Sequence, residues 1–142
     1  MRSEGEVRRP AARLRVVHPL AAVVALALLL RVIVVLATPH YVPETDAADY
    51  DRIAVSLVQD GRFPGSLLAP AGGPTAYRGP AFPFALAAAY EVSGVASKGA
   101  RWEAGRLLEA VLGTIAVALV FLIAQRLWDR RTAIVAGLMA AV

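Results

Sequence analysis

The stretch from Pro19 to Ala37, PLAAVVALALLLRVIVVLA, constrains this chain more than any other part of it. It contains no acid and a single base, Arg31. At 1.5 Å of rise per residue it makes about 28 Å of helix, enough to cross a hydrocarbon core of about 30 Å. A helix apolar on every side has no polar face to turn toward water. A cleaved signal peptide would carry a shorter apolar run followed by a small-residue cleavage site, and neither feature is present. Pro19 suits the first turn of such a helix, where its missing N–H does no harm. Thr38-Pro39 ends it. Arg31 lies toward one end of the run, where a long basic side chain can snorkel to the interface.

A second apolar stretch, LLEAVLGTIAVALVFLIAQRL, fills most of 105–127 and starts at Leu107, with Glu109 expected in its first turn. A third begins at Thr132 and stops at Val142, too short to cross a bilayer that needs about twenty residues. The chain therefore reads as an all-α integral membrane protein. Two complete transmembrane helices (19–37 and 105–127) and the start of a third (132–142) flank a long outer loop (38–104) that contains short interfacial helices. The early stop reads as a fragment of a longer polytopic protein. The apolar share of 58% agrees, against 45–50% in ordinary soluble domains.

Charge sets the expected topology. The tail 1–18 carries Arg2, Arg8, Arg9, Arg13 and Arg15, and the turn 128–131 carries Arg130 and Arg131. The loop sets Arg52, Arg62, Arg78, Lys98 and Arg101 against a larger number of acids, Glu44, Asp46, Asp49, Asp51, Asp60, Glu91 and Glu103. Basic segments stay inside, so the tail and the turn are placed in the cytoplasm and the loop outside, in a multi-pass protein of the inner (plasma) membrane. The net charge of +4 does not point to nucleic acid, because the Arg residues cluster beside the apolar blocks. Membrane lipids are the partners that this arrangement implies. With no cysteine in the chain, disulfides and thiolate metal sites are excluded. The Ala, Arg, Val and Gly bias, with Lys98 the only lysine, is a bacterial pattern of usage.

Within the loop, Tyr50, Ile53, Ala54, Leu57 and Val58 recur at helical spacing, while Asp49, Arg52, Ser56 and Gln59 fall off that stripe. Asp60-Gly61 closes this amphipathic helix, which is expected to lie in the membrane interface. The following FPGSLLAPAGGPTAYRGPAFP is too rich in Gly and Pro for regular structure. The stretch Pro83 to Val92 reads as an interfacial or re-entrant helix, and Gly94 to Gly99 as a turn.

The residues able to do chemistry are in this loop. One group is Thr45-Asp46-Ala-Ala-Asp49-Tyr50, the other Tyr77-Arg78-Gly79-Pro80. A carboxylate can serve as general base toward a hydroxyl, and an Arg can clamp a phosphate through paired donors. Together at a lipid surface they suit a transferase with a lipid-phosphate donor. The same spacing also suits plainer roles. Asp46 can cap a helix with Asp49 three residues on, Arg78 can meet lipid headgroups, and Tyr50 and Tyr77 can sit in an interfacial aromatic belt. Neither a P-loop nor a GxGxxG or HExxH motif is present, and no set of residues suggests a metal site.

The order of DAADYDRIAVSLVQDGRF, YRGPAFPFALAAAY and RLLEAVLGTIAVALVFLIAQRLWDRR after an Arg-flanked span resembles the N-terminal part of the GT-C-fold glycosyltransferases. The likeness is to the protein mannosyltransferase and aminoarabinose transferase group (glycosyltransferase family 39-like), and it covers the chain from Pro19 onward. It implies transfer of a sugar from a polyprenyl-phosphate carrier to an acceptor protein or glycan outside the membrane. It places the catalytic Asp on Asp46, with Asp49 as a second acid and Arg78 near the carrier phosphate. Tyr50 and Tyr77 flank these as substrate-binding candidates. Many members carry an acid directly after the catalytic Asp, where this chain has Ala47. Metal use varies among members, so the cofactor is unknown and a divalent metal in a full-length protein stays open. The alternative is a non-catalytic accessory or scaffold membrane protein.

Overall fold

A computed structural model describes the backbone at 11–65, 78–94 and 97–142, with side chains from His18 onward in those ranges. The described residues form helices only: α1 (Ala11–Ala37), α2 (Thr45–Asp60), α3 (Ala81–Ser93), α4 (Lys98–Leu127) and α5 (Arg130–Ala141). Two windows, His18–Ala37 and Lys98–Leu127, are long and apolar enough to cross a membrane. Only 17% of the first and 28% of the second is buried within the chain, so neither is the wrapped core helix of a soluble domain. Leu29, Ile33, Val34, Leu36, Leu119, Ile123 and Leu127 all face outward.

Both long helices begin earlier than the apolar pattern suggests. Ala, Arg and Leu are good helix formers, and they carry α1 back to Ala11, which leaves Pro19 inside the helix instead of in its first turn. Likewise α4 starts at Lys98, so Glu109 lies in the helix interior and not in the opening turn, where the dipole would have favoured it.

The chain divides into two compact units. The first comprises residues to Arg31 together with Leu112–Val142. Its core joins Val23 and Ala27 of α1, Val117, Phe121 and Ala124 of α4, and Ala133 and Ala141 of α5. Gly137 marks the closest approach: a Cβ there would lie 2.9 Å from Val23 Cγ1 and 3.2 Å from Phe121 Cδ2. α5 is started by Asp129, whose carboxylate accepts from Thr132 N at 2.7 Å. The backbone and side-chain hydrogen bonds from Thr132 hold the Asp129 carboxyl below its ordinary value. Arg31 does not reach outward as expected. Its Nη1 donates to Ala27 O at 3.2 Å and Ala141 O at 3.1 Å, and its Nη2 to Ala140 O at 3.3 Å. A guanidinium among apolar side chains needs acceptors, and these carbonyls supply them.

The second unit is Val32–Val111. Here the stripe of α2 packs on protein. Ala54 is fully buried with Leu86, Ala87 and Tyr90 of α3, and Tyr50, Leu57, Val58, Phe82 and Leu108 close around them. The helical period of the stripe is as expected, but the surface it covers is α3. Tyr50 and Phe82 meet edge to face, ring centroids 5.1 Å apart. Gly61, at φ 63, ends α2 in the left-handed conformation that glycine adopts without strain. The last carbonyls of α1 are satisfied by Thr38 Oγ1, which donates to Val34 O at 2.7 Å, and by Arg106 of α4, which donates to Thr38 O at 2.8 Å and Val34 O at 3.3 Å.

Candidate functional site

Asp46 is in the first turn of α2 but does not cap it. The cap position is Glu44, which makes no side-chain cap bond. The Asp46 carboxylate instead accepts from Arg78 Nη2 through Oδ1, across 32 residues of sequence. The Asp46 side chain is 66% exposed, whereas that of Arg78 is 11% exposed. Asp49, one turn on, is buried and held at both oxygens, by Arg52 Nη2 at 2.9 Å on Oδ1 and by Arg78 Nε at 3.2 Å on Oδ2. Arg78 also lies over the Tyr50 ring, 5.1 Å from its centroid. The hydrogen bonds to Asp46 and then Asp49 keep the guanidinium firmly charged, its pKa above the ordinary value.

Three of the sequence-predicted site residues, Asp46, Asp49 and Tyr50, therefore meet at a fourth, Arg78. Tyr77 lies outside the described residues. The two acids are not equivalent. Asp49 has both oxygens committed, which suits a pivot. Among the described residues Asp46 has one oxygen oriented by Arg78 and is otherwise open, which suits proton abstraction. Just before it, Thr45 has φ 49, an uncommon backbone for a β-branched residue and a form of strain that collects at functional sites.

A second cluster escaped the sequence reading. Asp51 Oδ1 accepts from Tyr90 OH at 2.8 Å and from Arg101 Nε at 2.9 Å, while its Oδ2 accepts from Arg101 Nη2 at 2.9 Å. This two-pronged pair ties α2 to α3 and to the start of α4. Burial pushes the Asp51 carboxyl up, but hydrogen bonds from Arg101, Tyr90 and Trp102 outweigh it and hold it below the usual 3.8. Trp102 Nε1 is buried and lacks a partner at good hydrogen-bond geometry, yet it is near enough to favour the charged carboxylate. Burial, then the neighbouring carboxylate, pushes the Tyr90 phenol up, so it stays a donor.

These clusters border one cavity of about 260 Å³. Its aromatic wall is Tyr41, Tyr50, Phe82, Tyr90 and Trp102, and its polar wall is Asp46, Asp51, Glu109 and Arg106. Arg106 is already engaged with the end of α1 and stacks over Tyr41 at 5.0 Å. Nothing in the spacing of the sequence marks Asp51, Tyr90, Arg101 or Glu109 as neighbours. The one signal available was that Asp51 is an acid inside an otherwise amphipathic helix with a basic residue, Arg101, opening the next long helix. Among the described residues no three His, Asp or Glu side chains gather where they could hold a metal ion. No family model matches the chain, nor does any curated protein or any solved structure.

Proposed function

We propose that the chain is the N-terminal part of a polytopic membrane glycosyltransferase that moves a sugar from a polyprenyl-phosphate donor to a hydroxyl of an acceptor on the outer face. In this reading α1 and α4 span the inner membrane, the N-terminus is cytoplasmic and α2 and α3 lie at the outer surface. The observation that carries the reading is Asp46, an exposed carboxylate with one oxygen fixed by Arg78, at the edge of an aromatic cavity. Asp46 takes the proton of the acceptor hydroxyl as that oxygen attacks the sugar's anomeric carbon, and the carrier phosphate leaves. Arg78 orients the base, Asp49 holds Arg78, and Tyr50 supports the guanidinium from below. The loop motifs that resemble the GT-C group support the same role for Asp46.

One observation favours the alternative, a non-catalytic accessory protein. Arg78 is shared by two carboxylates, which is how a purely structural ion network looks. The test is transfer in membranes containing the full-length protein. Asp46→Asn keeps the side-chain shape and removes the base, so the rate should fall by about two to four orders of magnitude. Asp49→Asn should lower it less. Full activity in both variants would move the accessory reading ahead.

A further inference from the structure

The cavity beside Asp46 carries information about which molecule presents its hydroxyl there. Two of its bordering charges are already paired. Asp46 is paired with Arg78, and Asp51 with Arg101. Arg106 donates to the carbonyls of Val34 and Thr38. Among the described residues Arg106 is the one guanidinium on the cavity wall, and its terminal nitrogens are spent on those carbonyls, so a phosphate would have to displace them. What remains is a wall of rings from four places in the chain and two carboxylate acceptors, Asp46 and Glu109. Glu109 makes no ion pair among the described residues, so its oxygens are available to hydroxyl donors.

Size narrows the choice. Drug-sized ligands occupy pockets of about 300 to 1,000 Å³. The 260 Å³ here falls just below that range, enough for one ring, and larger hollows of about 470 and 670 Å³ adjoin it at Tyr41 and Arg106. Extended peptides bind along strand edges or open grooves that continue for several residues. The described residues include no strand. A hydroxylated ring, by contrast, has apolar C–H faces that lie on aromatic side chains and an equatorial belt of hydroxyls that carboxylates accept. Rings on the walls and acids at the edge match that shape in both respects.

We infer that this cavity takes a single hydroxylated sugar ring as the acceptor, with its reacting hydroxyl on Asp46. The inference rests on the transferase reading for the word acceptor, but the binding it describes needs no donor and no turnover. The chain has two tryptophans, Trp102 in the cavity and Trp128 exposed just after α4. Trp128→Phe in the reconstituted chain leaves Trp102 as the sole emitter. The probes are a panel of methyl pentopyranosides and methyl hexopyranosides, inorganic phosphate, and a short Ser/Thr peptide. At least one glycoside should shift Trp102 emission saturably, and Glu109→Gln should weaken that binding about tenfold by replacing a charged acceptor with a neutral one. Phosphate and peptide should have no effect. Saturation-transfer NMR of the unsubstituted chain reads the same binding if Trp128→Phe disturbs the fold.

A saturable response to phosphate or peptide, or none to any glycoside by either method, overturns the inference. The two readings fail separately. Absent glycoside binding alongside an inactive Asp46→Asn removes the ring acceptor and leaves the transferase. Glycoside binding alongside an active Asp46→Asn keeps the ring site and removes Asp46 as the base.

Discussion

The pair formed by Asp51 and Arg101 should be the main fastening of the second unit. Its side chains are 12% and 14% exposed, and its two bonds are both 2.9 Å long. Breaking a buried pair by removing one partner costs about 3 to 5 kcal/mol, because the remaining charge is stranded. Some water reaches both groups here, so the lower end applies. Arg101→Met should therefore cost about 3 kcal/mol, which is about a hundredfold in the population of locally opened protein. Asp51→Asn keeps the shape but turns charge-assisted bonds, at about 1.5 to 3 kcal/mol, into neutral ones at about 0.5 to 1.5. It should cost less than Arg101→Met, and the double variant should cost less than the sum. Trypsin cleavage after Arg52, inside α2, reads the opening of this helix in detergent or nanodiscs. Cleavage of Arg101→Met should accelerate about a hundredfold if opening is fast relative to cutting. A change below about threefold, or strict additivity in the double variant, would refute the lock.

The same pair gives a pH dependence with a definite sign. The Asp51 carboxyl is lowered from 3.8, so its stabilisation is fully present above 3.8 and is lost as pH falls through its lower folded value. Acidification below 3.8 should therefore bring a change in Trp102 emission that Asp51→Asn removes. A Cβ at Gly105 would lie 2.9 Å from buried Leu86 Cδ1, so Gly105→Leu should overpack the α3 contact and cost about 1 to 3 kcal/mol in thermal unfolding. Cysteines at two exposed positions test the proposed topology: in spheroplasts an impermeant thiol reagent should label Glu91→Cys and not Asp129→Cys, the reverse pattern contradicting it.

What the sequence disclosed follows from range. The two long apolar helices, the stripe of α2 and its stop at Gly61 are local patterns, and each appears in the structure, although α1 starts at Ala11 instead of Pro19 and α4 at Lys98 instead of 105. The helix starts were missed because apolar content marks where lipid-compatible residues begin, not where the backbone becomes helical. Helical period predicted Asp49 off the stripe, yet Arg52 and Arg78 cover it, and periodicity cannot register burial by ion pairing. Asp46, Asp49, Tyr50 and Arg78 were each legible as residue types, but their union depends on a contact between residues 32 apart in sequence. The Asp51 and Arg101 pair, 50 residues apart, left no local trace at all. Tyr90 was hidden inside an apolar run, where its hydroxyl looked incidental.

The central claim is that Asp46 acts as a general base, and chemical rescue tests it most directly. In the full-length protein Asp46→Ala removes the carboxylate and opens space beside the cavity. Transfer from a polyprenyl-phosphate sugar should fall by about two to four orders of magnitude. Added formate, a small carboxylate able to enter that space, should then restore part of the rate in a saturable manner, while leaving the unsubstituted protein unaffected. Undiminished transfer by Asp46→Ala, or a loss that formate at no concentration repairs, would contradict the assignment.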